Sequence, residues 1–228
     1  MWKRHFVEAL KPNHENQSTW SDRPTGRPVK HKEGYKIVMI LDESSSMDSI
    51  AEDMRSSINS LIREQKTVDR PCYFTLVKFN QNVKRVLCNK NLKEVRQLTA
   101  DDYSPNGTTA LYDAIGETAE WFRYERDVLM VVITDGQENA SKKYRKSQVM
   151  QTLKEREEYA GWSYVYLGCD LETAKQGDAI GFGKSTTASN CCVRQEAYSA
   201  FIDGDLNKAI KAKRTRGISV QAQLNSKY

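Results

Sequence analysis

The stretch Tyr35-Lys36-Ile37-Val38-Met39-Ile40-Leu41-Asp42-Glu43-Ser44-Ser45-Ser46-Met47 decides the fold of this chain. Residues 37–41 form an unbroken apolar run, which is typical of a strand buried on both faces of a parallel sheet. Apolar residues then recur at helical spacing over residues 47–62, so a helix follows the strand. The stretch therefore predicts a polar turn at the carboxyl end of a strand, which is where open α/β sheets bind ligands.

The turn offers one carboxylate and two hydroxyls, from Asp42, Ser44 and Ser46. These positions alternate along the chain, so in an extended turn their side chains point the same way. An all-oxygen set of this kind suits a hard cation such as Mg²⁺. A simpler interpretation is that Ser44 or Ser46 caps the helix that begins near Met47. On this stretch alone, both interpretations stay open.

Strand and helix patterns alternate along the rest of the chain. They predict an α/β fold with a doubly wound, mostly parallel sheet and helices on both faces. A tight turn at residues 80–82 makes the third strand an antiparallel edge strand. The predicted strands are 36–42, 72–79, 83–88, 127–135, 162–168 and 184–193, and the predicted helices are 47–66, 111–122, 146–159, 171–180 and 195–213.

A second strand end carries a carboxylate. With right-handed crossovers and the strand order 3-2-1-4-5-6, the first and fourth strands are neighbours at the switch point of the sheet. The fourth strand ends in Asp135, which Gly136 follows. Because adjacent strands lie about 4.8 Å apart, Asp42 and Asp135 are expected side by side. Two carboxylates this close repel each other, and a divalent cation between them removes the repulsion.

At these residues the chain resembles the von Willebrand factor type A (VWA) domain with its metal-ion-dependent adhesion site (MIDAS). The family motif Asp-x-Ser-x-Ser stands at residues 42–46, the strand-end Asp-Gly stands at residues 135–136, and the family's loop threonine stands in Asn106-Gly107-Thr108-Thr109. Family members often have Gly-Gly-Thr where this chain has Gly-Thr-Thr. We therefore take Thr109 as the matching position and keep Thr108 as the alternative. The resemblance covers about residues 35–212 and implies a Rossmann-like VWA fold.

The resemblance also implies a ligand set and a function. The implied metal ligands are Asp42, Ser44, Ser46, Thr109 and Asp135, with Mg²⁺ as the expected ion and Mn²⁺ or Ca²⁺ as alternatives. In such domains one coordination position is left for a carboxylate of a partner. The implied function is therefore divalent-metal-dependent binding of a protein that presents Asp or Glu.

Charge and composition predict how the chain is divided. Residues 1–35 carry +3 and residues 203–228 carry +4, against +5 for the whole chain, so the centre is slightly acidic. We predict an N-terminal arm and linker at 1–34, a VWA domain at 35–213 and a basic, polar tail at 214–228, which is expected to fray from residue 215. The basic ends make nucleic-acid binding one alternative function, although the acidic centre argues against it.

The five cysteines and the missing apolar leader predict a small stand-alone cytoplasmic protein with reduced thiols and no membrane contact. Cys72, Cys88 and Cys169 are expected to pack as small hydrophobes. The adjacent pair Cys191 and Cys192 is expected to do the same, without a redox role.

We expect no enzymatic activity. All three histidines lie in the first 35 residues, so the predicted domain has no imidazole for a nucleophile–base pair. A phosphate-binding loop is not formed, because Gly177 stands one residue too early relative to Gly183-Lys184-Ser185. A phosphatase of the haloacid dehalogenase type would need an Asp where Ser44 stands. The remaining alternative is an adaptor that recruits substrates for, or regulates, a separate ATPase.

Overall fold

The computed structural model describes residues 33–168, 171–182 and 195–225. In this part of the chain one five-stranded sheet has the order β3-β2-β1-β4-β5. Four strands are parallel, and β3 runs antiparallel to β2 at one edge. The predicted fold class and the predicted order of these five strands are confirmed. The strands are β1 (Tyr35–Asp42), β2 (Cys72–Phe79), β3 (Val83–Asn91), β4 (Val128–Thr134) and β5 (Ser163–Gly168).

Helices connect the strands and close the domain. The helix predicted from residue 47 begins as a 3₁₀ turn at Ser45–Ile50, and the α-helix itself starts at Ala51. A π-helical segment, Phe201–Leu206, joins the two helices on either side of it. The α-helices are α1 (Ala51–Lys66), α2 (Leu111–Trp121), α3 (Lys146–Ala160), α4 (Leu171–Ala179), α5 (Gln195–Ala200), α6 (Asn207–Arg216) and α7 (Val220–Asn225).

The apolar run of β1 is explained by burial on both faces of the sheet. Every side chain from Ile37 to Leu41 is 0% exposed. Met39 faces a core layer shared with α1 and the C-terminal helices, whereas Val38 and Ile40 face a layer shared with α2 and α3. Because both faces are covered, no polar residue is needed at alternate positions.

Two expectations at the periphery are wrong. The tail predicted to fray from residue 215 contains α7, which buries Val220 and Leu224 in the core. The left-handed Gly217 ends α6 and redirects the chain, so these two apolar residues reach the core. Cys88 is exposed because β3 is an edge strand, while Cys72 is buried as expected.

Some sequence predictions fall outside the described residues. They concern residues 1–32 of the predicted arm, the final strand at 184–193, and the thiols of Cys169, Cys191 and Cys192. In the described part of the chain, none of the helices combines the length and the apolar character that a membrane crossing requires.

Candidate metal centre

The candidate centre lies at the carboxyl ends of β1 and β4, which are adjacent parallel strands. Leu41 is paired with Ile133, so the next residues along each strand, Asp42 and Thr134, are neighbours. Asp135 then follows at the end of β4. The strand order therefore brings both predicted carboxylates to one edge of the sheet, as the sequence predicts.

A chain of hydrogen bonds joins the first motif to β4. The hydroxyl oxygens of Ser44 and Ser46 lie 3.1 Å apart, and the Ser46 hydroxyl donates to Oδ1 of Asp135 at 2.6 Å. Ser44 occupies the cap position of the 3₁₀ turn with extended backbone, yet its side chain makes no capping hydrogen bond. The Ser44 hydroxyl thus faces the centre and does not cap the turn.

Asp42 is a fully buried carboxylate held by neutral donors. Its Oδ1 accepts the backbone N–H of Ser44 at 2.7 Å, and its Oδ2 accepts the hydroxyl of Thr134 at 2.5 Å. Burial raises the pKa of the carboxyl from its ordinary 3.8 to about 6; these hydrogen bonds oppose the rise and the charge of Asp135 adds to it. The described residues form no salt bridge with Asp42. A cation beside it would relieve the cost of the buried charge.

Of the two candidate threonines, Thr109 lies beside Asp42. A Cβ placed on Gly136 would lie 2.8 Å from the Thr109 hydroxyl oxygen and 3.6 Å from Oδ2 of Asp42, so both groups contact the same glycine. Thr109 is 3% exposed, and its N–H donates to Oδ1 of Asn139 at 2.9 Å. Thr108 is exposed, and its N–H donates to the side chain of Gln81.

The sequence matches the von Willebrand factor type A domain over residues 36–184. The chain belongs to this family. No curated protein sequence matches the chain.

Solved structures share the fold of this VWA domain at low sequence identity. The D319A mutant of the PilB minor pilin from Streptococcus sanguinis is 14% identical, with a TM-score of 0.57 over 81% of this chain and 63% of that one. A von Willebrand factor type A protein from Catenulispora acidiphila is 15% identical, with a TM-score of 0.54 over 79% and 42%. Proximal thread matrix protein 1 from the mussel byssus, with a zinc-occupied MIDAS motif, is 19% identical, with a TM-score of 0.52 over 78% and 46%. The chain spans less than two thirds of each of these structures, and at such identities the likeness shows the fold alone.

The candidate centre is not a cluster made only of carboxylate, imidazole or thiolate ligands. Among the described residues, no group of three or more His, Cys, Asp or Glu side chains could hold a metal ion. The candidate centre instead combines two carboxylates with three hydroxyls, all of them oxygen donors. Such a set matches the preference of hard cations, and it lacks the thiolate and imidazole ligands that softer metals favour.

Three side chains that sequence reasoning missed also support the centre. Thr134 donates to Asp42 and accepts the N–H of Gly136 at 3.1 Å, so it ties the end of β1 to the turn after β4. Tyr103 donates its hydroxyl to the main-chain oxygen of Asp42 at 2.6 Å. The side-chain oxygen of Asn139 accepts the N–H of Thr109, and the main-chain N–H of Asn139 donates to the Thr109 carbonyl at 3.0 Å. Thr134 could have been found from its place beside Asp135, whereas Tyr103 and Asn139 carry no local signal.

Proposed function

We propose that this VWA domain is a divalent-metal-dependent protein-binding module. In this proposal Asp42, Ser44, Ser46, Thr109 and Asp135 form a MIDAS that holds Mg²⁺, and the ion binds an acidic residue of a partner protein. The observation that carries the proposal is the hydrogen bond of 2.6 Å from Ser46 to Asp135, because it places hydroxyls of the first motif against the carboxylate of β4.

The donor set supports a cation at this position. Asp42 is 0% exposed and its carboxyl has a raised pKa, so the ionised form lacks compensation that a cation would supply. The missing Cβ of Gly136 leaves room for the Thr109 hydroxyl beside Asp42. Mg²⁺ is the ion that an all-oxygen set of this size favours. The zinc in the mussel protein makes Zn²⁺ a second cation worth testing here.

The charges of the ligand residues determine which group of a partner such a centre would bind. When bound, the cation supplies a concentrated positive charge that accepts an anionic oxygen. Ser44, Ser46 and Thr109 would contribute neutral hydroxyls, which bring no negative charge to the ion. In this proposal the carboxylates of Asp42 and Asp135 act partly through water, so the ion still favours an anionic oxygen from a partner. Asp42 is buried, whereas Ser46 is exposed and marks the side from which a partner carboxylate would approach.

We also propose that the domain is not an enzyme. The residues that the structure describes contain no histidine, since all three histidines precede residue 33. The hydroxyls of Ser44 and Ser46 contact each other and Asp135, and no imidazole among the described residues is available to act as their general base. Hydrolysis of a generic phosphate ester that is lost in the Asp42→Asn variant would contradict this proposal.

Thermal unfolding with and without metal tests the binding proposal. A ligand at 100 times its dissociation constant stabilises a folded protein by about 2.7 kcal/mol. For a domain of this size, that is a rise in Tm of roughly 5–10 °C. We expect Mg²⁺ or Mn²⁺ to raise the Tm of protein stripped with EDTA, and we expect the Ser44→Ala, Ser46→Ala double variant to lose the rise.

Ser45 provides the matched control within the same motif. Its hydroxyl is exposed and lies outside the proposed ligand set. An alanine there keeps the main-chain bond from its N–H to the Gly107 carbonyl, which is 3.2 Å long in the wild type. The Ser45→Ala variant should therefore keep the full metal-dependent rise in Tm. A wild-type Tm that no divalent cation changes, or an equal rise in the double variant, would overturn the proposed site.

A further inference from the structure

The residue between Asp42 and Ser44 joins two parts of the centre. We infer that Glu43 is a positioning residue that holds the loop of residues 103–109, here called the Thr109 loop, against the first motif. This inference rests on the proposed metal site. It assigns a role to a position that the Asp-x-Ser-x-Ser pattern leaves open.

The Thr109 loop runs beside the first motif, and Glu43 accepts two of the hydrogen bonds between them. Its side-chain Oε1 accepts the N–H of Ser104 at 3.0 Å, and its main-chain oxygen accepts the N–H of Asn106 at 2.7 Å. On either side, the Tyr103 hydroxyl donates to Asp42, and Ser45 donates to Gly107 through both its N–H and its hydroxyl. The side chain of Glu43 is thus the central contact of a continuous set.

A largely buried lysine fixes the carboxylate of Glu43 in place. Nζ of Lys78, on β2, lies 2.5 Å from Oε1 of Glu43, and the two side chains are only 12% and 8% exposed. A buried carboxylate without a partner would be costly, and Lys78 supplies that partner. The same oxygen therefore contacts both the rigid sheet, through Lys78, and the Thr109 loop, through Ser104.

The position of this anchor matters for the metal site because Thr109 lies close by in the chain. Gly107 accepts a hydrogen bond from Ser45, and Thr109 follows it in the chain after one residue. The Thr109 hydroxyl and the Asp42 carboxylate both lie close to Gly136. On the far side, the N–H of Ala110 donates to the Asn80 carbonyl at 2.8 Å. Loss of the Glu43 side chain would remove the contact that ties the start of the Thr109 loop to Lys78 on β2, while the main-chain bonds of Asn106 and Gly107 to the first motif remain. The loop would then be held less rigidly, and so would the Thr109 hydroxyl that it carries.

The chain offers a matched control for the loss of a buried ion pair. Lys36 and Glu125 form a pair of 3.2 Å with side chains 7% and 16% exposed. Lys36 lies near the amino end of β1, at the opposite end of the strand from Asp42. Breaking this pair should cost stability without reaching the metal centre.

The experiment compares Mn²⁺ affinity, by titration calorimetry, with amide hydrogen exchange at Ser104. We expect Glu43→Ala to weaken Mn²⁺ binding roughly tenfold, which is the loss typical when a side chain that supports a metal ligand is removed. Exchange at the Ser104 amide should become faster in the metal-free protein. Glu125→Ala should lower the Tm while leaving both the Mn²⁺ affinity and the exchange at Ser104 unchanged.

Two further variants separate the hydrogen bond from the charge. The Glu43→Gln, Lys78→Met double variant keeps an oxygen acceptor for Ser104 and removes both charges together, so we expect it to restore near-wild-type Mn²⁺ affinity. Glu43→Asp keeps the charge but withdraws the oxygen by one methylene, so it should bind Mn²⁺ more weakly than the wild type. Glu43→Asp also keeps the test open where Glu43→Ala does not fold.

The outcomes are distinguishable. If the wild type binds no divalent cation, the proposed function fails and this inference fails with it. If the wild type binds Mn²⁺ and Glu43→Ala or Glu43→Asp binds it equally well, the inference alone is overturned. Equal losses of Mn²⁺ affinity in Glu43→Ala and Glu125→Ala would assign Glu43 a purely structural role.

Discussion

The hydroxyl of Thr134 donates a hydrogen bond of 2.5 Å to Oδ2 of Asp42, and this contact joins the ends of the two central strands. Both side chains are 0% exposed. The same hydroxyl oxygen lies 3.2 Å from the carbonyl of Gly136, so it has a second acceptor within reach. Thr134 therefore orients Asp42 and could adapt to a neutral side chain at that position.

This adaptability makes Asp42→Asn an informative change. Asparagine keeps an oxygen for the Ser44 N–H, its NH₂ can donate to Thr134, and the Thr134 hydroxyl can turn to Gly136. The variant should lose metal binding. In metal-free protein it should be more stable than the wild type at neutral pH, because the wild type buries a carboxylate there.

The pH dependence of that difference follows from the raised pKa of Asp42. A group with a pKa of about 6 in the folded state and 3.8 when unfolded stabilises the fold at low pH, and this contribution is lost as the pH rises through 6. The free energy of unfolding of Asp42→Asn, minus that of the wild type, should therefore grow from a small value at pH 4 to about 3 kcal/mol at pH 8. Urea unfolding in EDTA at several pH values measures it, and a difference independent of pH would contradict the assignment of the shift to Asp42.

The two threonines of the loop give a second prediction. Thr109→Val removes the hydroxyl beside Asp42 but keeps the shape and the main-chain contacts with Asn139. Mn²⁺ affinity should fall at least roughly tenfold, by analogy with the loss of a contact that orients a metal. Thr108→Val alters an exposed side chain and should leave the affinity unchanged. The reverse order in calorimetric titrations would move the ligand to Thr108.

Gly136 gives a third prediction, which concerns space. An alanine Cβ there would lie 2.8 Å from the Thr109 hydroxyl oxygen, so Gly136→Ala must displace Thr109 and should lower stability by about 1–3 kcal/mol. Metal affinity should fall as well. Gly204→Ala is the control, because its Cβ would meet nothing within 4 Å and should raise stability by about 0.5–1 kcal/mol. Urea unfolding and Mn²⁺ titration of both variants would show whether Gly136 is needed for the shape of the centre.

The sequence predicts the framework of the centre but not its supports. Asp42 and Asp135 could be placed together because each follows a buried apolar run, and strand order is governed by general rules of topology. The contact of Glu43 with Lys78 could not be predicted from the sequence, since it depends on side-chain directions across two strands. The bond from Tyr103 to Asp42 joins residues 61 positions apart, and no periodicity encodes such a contact. The sequence favours Thr109 over Thr108 through the family resemblance alone, and the contacts of the two residues with Gly136 and Gln81 come only from the structure.

The last prediction concerns the partner. Four exposed residues near Ser46 are uncharged, namely Ser45, Asn106, Thr108 and Gln137. The exposed charged residue of the same 3₁₀ turn, Asp48, is acidic and would not attract a carboxylate. A partner carboxylate bound to the cation would therefore be the main electrostatic contact, and the neighbouring contacts would be neutral hydrogen bonds. Peptides selected from a random library on the Mn²⁺-loaded domain should each contain an Asp or Glu that cannot be replaced by Asn or Gln.

Two controls test whether the cation makes that contact. Binding of the selected peptides should be abolished by EDTA and by the Ser44→Ala, Ser46→Ala double variant, and it should survive in Ser45→Ala. It should also change little between low and high NaCl, because a contact between buried or partly buried charges is screened weakly, whereas binding through the basic ends of the chain would weaken steeply with salt. Selected peptides that lack acidic residues, or that bind equally well in EDTA, would show that the partner does not complete the metal site. Binding that weakens steeply with salt would indicate that the basic ends of the chain make the contact instead.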